Sequence, residues 1–150
     1  GEIMYRLGKI VVFISLISTL LWGVNSQQAM PSMVSLSWFK SHLKDPKLVI
    51  IDVRKHKIYL QGHLKHAVNL PTFEKLFDKN LFMPKLNILK GTFSDAGIDD
   101  KSLVVVYDNG DFIWAARCYW LLQVLGHKNV GIFRDDYVAL KNMRFSISKN

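Results

Sequence analysis

The stretch Leu103-Val104-Val105-Val106-Tyr107-Asp108-Asn109-Gly110-Asp111-Phe112-Ile113-Trp114-Ala115-Ala116-Arg117-Cys118, continuing to Gly126, decides the fold. Leu103 to Tyr107 is a short apolar run rich in valine with polar residues on both sides, the pattern of a strand buried on both faces at the centre of a parallel sheet. After the polar Asp108–Asp111, apolar residues recur at Ala115, Cys118, Tyr119, Leu122 and Leu125, three or four apart, which is helical spacing. Gly126 then supplies a helix stop. Strand, loop and helix in that order put the loop at the carboxyl end of the sheet, where open α/β folds form their ligand sites.

Working outward, Leu48 to Val53 reads as a second apolar strand that ends on Asp52 and Arg54. Ala67 to Leu70 reads as a third, following the Gly62-His63 turn, and Val130 to Phe133 as a last one. Ser37 to Leu43 carries a short helical pattern that Asp45-Pro46 ends, because proline disfavours helix in the residue before it. Thr72 to Gly97 reads as helical with a break at Pro84: Phe73, Leu76 and Phe77 form one apolar face, and Leu86, Leu89 and Phe93 another. The expected class is α/β, three layers deep, with helices on both faces of a parallel sheet of about five strands.

Composition sets the remaining bounds. The 150 residues suit one domain, and 49% hydrophobic with 21% charged residues suit a folded core plus an apolar appendage. The net charge of +8 comes from scattered Lys and Arg, so no nucleic-acid module is expected. The one cysteine excludes an internal disulfide and any multi-cysteine metal site. The histidines lack metal-ligand spacing, so neither a metal nor another cofactor is expected. At the N-terminus Arg6 and Lys9 precede an uncharged run from Ile10 to Val24. That is the length of a signal-peptide core and short of the ~20 residues that usually span a bilayer. Residues 1–29 are therefore expected to be a signal peptide or membrane anchor, 30–36 a linker, and 37–150 the folded domain. The expected location is periplasmic, otherwise extracytoplasmic, or membrane-anchored, with an organellar membrane as the alternative.

Three segments together resemble the rhodanese family, specifically the N-terminal half of two-domain thiosulfate and 3-mercaptopyruvate sulfurtransferases. They are Val49-Ile50-Ile51-Asp52-Val53-Arg54, Gly62-His63 through Asn69-Leu70-Pro71, and Tyr107-Asp108 followed by Ala115-Ala116-Arg117-Cys118-Tyr119-Trp120. Asp135-Asp136-Tyr137 resembles the family's closing Gly-Gly-Tyr element. Two aspartates stand there in place of two glycines, which implies a reshaped turn.

The resemblance implies that Asp52, Arg54, Gly62 and His63 brace the fold, although His63, as the side-chain type whose unperturbed pKa lies near neutrality, would also suit a general base. It implies, too, that catalysis needs a cysteine directly after the central strand, its thiolate held by amides of the following loop. That position is Asp108. An ionised carboxylate only accepts hydrogen bonds and would repel an anionic sulfur donor. The eight residues Asn109 to Ala116 also make a longer loop than catalytic relatives carry. Cys118, in phase with the apolar helix positions, is expected to be core, with a sulfur-carrier role as the lesser alternative.

No catalytic residue is therefore assigned. The loop Asp108, Asn109, Gly110, Asp111, Phe112, Ile113 and Trp114 is expected to border a cleft, with Phe112, Ile113 and Trp114 facing it or capping the helix start. Arg117 is expected to pair with a carboxylate such as Asp52. The partner the resemblance implies is a catalytic rhodanese domain on this or another chain. The reading from a different class is a membrane-associated structural or interaction subunit, attached through residues 4–29.

Overall fold

The computed structural model describes residues 30–135, 137–142 and 147–149, and its centre is a five-stranded parallel sheet. The strands are β1 (Met33–Val34), β2 (Leu48–Asp52), β4 (Ala67–Asn69), β5 (Leu103–Tyr107) and β6 (Val130–Phe133), in the order β1-β6-β5-β2-β4. A separate two-stranded antiparallel ribbon joins β3 (His63–Leu64) to β7 (Ile147–Ser148). The helices are α1 (Leu36–His42), α2 (His56–Gln61), α3 (Thr72–Lys75), α4 (Leu86–Asp95), α5 (Ile113–Val124) and α6 (Tyr137–Asn142).

The valine run sits where its composition requires. Val104, Val105 and Val106 are inaccessible to solvent, and alternate side chains feed opposite layers. Val104 and Val106 pack with Leu76 after α3, Leu89 and Phe93 of α4, and Ala115, Cys118, Leu121 and Leu122 of α5. Val105 and Tyr107 pack with Val34, Phe39 of α1, Leu64 and Phe133. Burying one such aliphatic side chain stabilises the fold by about 1.5–3 kcal/mol. A strand that serves two cores has no face left for polar residues, which explains its uninterrupted apolar sequence.

The span 30–36, expected as a linker, instead holds an edge strand. The Ile132 amide donates to the Ser32 carbonyl at 2.8 Å, the Arg134 amide donates to the Val34 carbonyl at 2.9 Å, and Val34 is fully buried. Two residues are too few to show a strand period, and the flanking serines disguise them. Ser35 also starts α1, its hydroxyl accepting from the Trp38 amide at 3.2 Å. Gly131 is glycine because β1 passes so close that a Cβ there would run into the Pro31 carbonyl.

The expected signal or anchor segment at 1–29 lies outside the described residues, as does Asp136 of the closing turn. Among the described residues no helix is long and apolar enough to cross a membrane.

Candidate functional site

The carboxyl ends of β2, β4 and β5 open onto a cleft of about 520 Å³. Arg54, Lys55, Phe73, Glu74, Asp108 and Trp114 are among the residues that line it. A buried polar network adjoins it at Arg54. The Asp52 carboxylate receives Arg54 Nη2 at 2.6 Å and Arg54 Nε at 2.9 Å, both groups out of solvent. The Tyr107 hydroxyl donates to the same carboxylate at 2.6 Å and accepts from the Leu64 amide at 3.1 Å. Arg54 reaches on to the Gly62 carbonyl at 2.8 Å, and its guanidinium lies 3.8 Å from the centre of the Tyr137 ring. Asn69 ties the strand ends by donating to the carbonyls of Asp52 and Arg54. Burial, then the charge of Asp52, pushes the Tyr107 hydroxyl well above its ordinary pKa, so it stays a donor. These bonds fill the lone pairs of the Asp52 carboxylate and tie the end of β2 to the segments at Gly62–Leu64, Asn69 and Tyr107.

His63 lies next to Gly62 and makes its contacts with Tyr59 of α2. Its ring stacks on Tyr59 with centroids 3.6 Å apart and planes 8° from parallel, and its Nδ1 donates to the Tyr59 carbonyl at 3.0 Å. The imidazole is buried, 2% exposed.

Asp108 is the first residue after β5 and is only 3% exposed. Its Oδ1 accepts from the Gly110 amide at 2.8 Å and from the Phe112 amide at 3.4 Å, and its Oδ2 accepts from the Ala115 amide at 3.1 Å. The loop thus folds main-chain N–H groups around a negative centre, and that centre is the chain's own carboxylate. Gly110 and Phe112 both adopt positive φ, 103° and 61°, which turns their amides inward. Because α5 has no capping side chain at Phe112, Asp108 satisfies the Ala115 amide from seven residues upstream. Burial raises the Asp108 pKa, while the bonds from Gly110 and Ala115 hold it down.

The other loop residues divide. Trp114 lines the cleft and packs against Phe73, with ring centres 4.6 Å apart. Asn109 lines the cleft as well. Phe112 does not face it but packs against the core, and Ile113 is 62% exposed on the helix surface. Asp111 accepts from the Ile113 amide at 3.3 Å and so shapes the turn into α5.

Arg117 does not pair with Asp52, whose carboxylate is already filled by Arg54 two residues along. Its guanidinium lies over Phe77 at 4.4 Å and over Trp120 at 5.2 Å, and it reaches the Leu76 carbonyl at 3.4 Å. Cys118 is wholly buried between sheet and helix, and burial pushes its thiol above the ordinary range, away from the reactive thiolate. The sequence did not mark Tyr107, Lys55, Phe73 or Glu74 as site residues. Tyr107 did carry a signal, since a tyrosine ending a strand buried on both faces must find a partner for its hydroxyl.

Comparison with known proteins adds the following. The family model for the rhodanese-like domain matches residues 35–143. The 3-mercaptopyruvate sulfurtransferase of Escherichia coli is 30% identical over 113 residues, which cover 66% of this chain and 40% of that protein. A mitochondrial thiosulfate/3-mercaptopyruvate sulfurtransferase of Arabidopsis thaliana is 27% identical over 124 residues, 74% of this chain and 32% of the relative. In fold, the chain is similar to the crystal structure of SseA from Escherichia coli, with a TM-score of 0.71 and 23% identity over 81% of this chain and 51% of that one. It is also similar to a rhodanese-like domain from Anabaena, with a TM-score of 0.59 and 20% identity over 81% of each. The chain therefore spans well under two thirds of the sulfurtransferases it matches.

Proposed function

Because this chain belongs to the rhodanese-like domain family, we propose that it is a non-catalytic sulfurtransferase domain, shaping the cleft in which a cysteine of another domain or chain transfers sulfane sulfur. One observation carries the reading: the Asp108 carboxylate fills the amide cradle at the end of β5, where sulfur chemistry would require a thiol. The chain's one cysteine supports it, being buried in the core. By analogy with the named relatives, the donor is thiosulfate or 3-mercaptopyruvate, and the cleft walls Trp114 and Phe73 help to exclude water around it.

The test is a sulfurtransferase assay with thiosulfate or 3-mercaptopyruvate as donor and cyanide as acceptor. The purified chain alone should give no turnover above buffer, and adding it to an isolated catalytic rhodanese domain should lower that domain's KM for the donor. Turnover by the chain alone that disappears on Cys118→Ser overturns the reading.

The uncharged run from Ile10 to Val24 favours a second reading, a membrane-associated interaction subunit on an exported or membrane-anchored chain. In that case the chain would have no effect on sulfur transfer by any partner.

A further inference from the structure

Large apolar side chains are unevenly spread over the surface. Among the described residues nine of the thirteen exposed ones lie on α3, α4, α5 or the loop between α3 and α4, the outer face of a single helical layer. Two of the most exposed stand at the tip of that loop, Leu81 at 62% and Phe82 at 70%, with Met83 beside them at 38%. Two exposed lysines, Lys79 and Lys85, flank the tip in sequence, and Lys75 and Lys90, also exposed, follow on α3 and α4.

The loop is built to hold this display. The Asp78 amide donates to the Phe82 carbonyl at 2.9 Å, and the Asp78 carboxylate accepts from the Asn80 amide at 2.8 Å and the Phe82 amide at 2.9 Å. Leu81 is held at φ 64°, a left-handed conformation that a leucine adopts only at a cost. Asp78, the one carboxylate between Lys75 and Lys90, is thus occupied with the turn. The neighbouring Glu74 lines the cleft.

We propose that the loop of residues 76–86 docks on an anionic lipid surface, with Leu81, Phe82 and Met83 entering the headgroup region and the lysines meeting lipid phosphates. The composition discriminates between occupants. Protein interfaces are depleted in lysine, whereas an apolar tip flanked by lysines is what an anionic bilayer attracts. Lysine stems also lie along apolar surface while their ammonium groups stay wet.

The experiment uses the full chain carrying Asn80→Cys labelled with an environment-sensitive fluorophore. The buried Cys118 directs the label to position 80. Because the probe reports locally, binding through residues 4–29 does not imitate the result. With vesicles of phosphatidylcholine and phosphatidylglycerol the emission should shift to the blue and brighten. With phosphatidylcholine alone it should change little, and added salt should reverse the effect. Lys79→Glu with Lys85→Glu, both exposed, should weaken the vesicle response roughly tenfold or more without changing the circular dichroism spectrum.

A probe that stays in water while the chain sediments with vesicles overturns the proposal, as does an equal response on neutral vesicles. A lipid-free shift that grows with protein concentration would assign the face to a second copy. A shift seen only with an added catalytic rhodanese domain would assign it to that partner. Both overturn the lipid assignment.

Discussion

Asp108→Ala removes the negative centre around which the loop is wound. The carboxylate receives two well-placed amides, from Gly110 at 2.8 Å and Ala115 at 3.1 Å, and a third from Phe112 at the limit of bonding, 3.4 Å. A hydrogen bond to a charged group is worth about 1.5–3 kcal/mol, so two such bonds set the gross loss. Two effects reduce it. The wild-type carboxylate bears a burial cost, visible in its raised pKa, that alanine does not. Gly110 is also only half-buried, so water can replace the partner of its amide. The Ala115 amide has no such recourse, since its residue is fully buried. The expected net destabilisation is about 2 kcal/mol, the upper end for loss of a helix cap. For a chain of this length that lowers Tm by roughly 4–8 °C. Urea unfolding at neutral pH, followed by tryptophan fluorescence, would measure it, with the m-value unchanged because the loop is a small part of the surface exposed. A stability within about 0.5 kcal/mol of wild type would refute the claim that this side chain organises the loop, since changes of that size are ordinary for surface sites.

Burial sets the folded Asp108 pKa above its unfolded value, so the folded chain holds this proton more tightly than the unfolded chain does. The part of the stability linked to that proton is present below about pH 3.9 and is lost as pH rises through the raised folded value, whereas the loop's bonds to the side chain remain. Asp108→Asn should flatten the stability curve across that window, and a curve of unchanged shape in pH-dependent urea titrations would contradict the assignment. Asp52→Ala strands the buried Arg54 guanidinium and should cost about 3–5 kcal/mol, whereas Tyr107→Phe should cost only about 1.5–3 kcal/mol; equal losses in denaturant melts would mean that the ion pair is not the centre of the network. Asp108→Cys should yield no thiosulfate–cyanide turnover, because the loop's length and its two positive-φ residues remain fitted to a carboxylate. A persulfide detected by mass spectrometry on that variant would show that the loop adapts.

The strand, the loop and the helix from Leu103 to Val124 were legible because each has a period or a punctuation mark, and the position of Asp108 followed from the end of the valine run. The cradle around Asp108 was not legible. It is made of main-chain amides, and the left-handed turn at Phe112 that aims them leaves no mark in the side-chain pattern. The assignment of Arg117 to Asp52 failed for a related reason: charge complementarity names possible partners, but Arg54 stands two residues from Asp52, and the strand end sets its side chain directly on the carboxylate. Short pairings were also hidden. Met33–Val34 and the ribbon of His63–Leu64 with Ile147–Ser148 are two residues each, below the length at which alternation becomes visible.

The edge pairing of β1 has a consequence for biosynthesis. Met33 and Val34 leave the ribosome ahead of their partners, Ile132 and Phe133, which are made about a hundred residues later. At translation rates of roughly 5–20 residues per second, the wait is on the order of 5–20 s. Throughout that interval Val34 and Phe39 have no Phe133 to close over them, and a nascent chain stalled before Gly131 would present an unfinished sheet edge to chaperones and proteases.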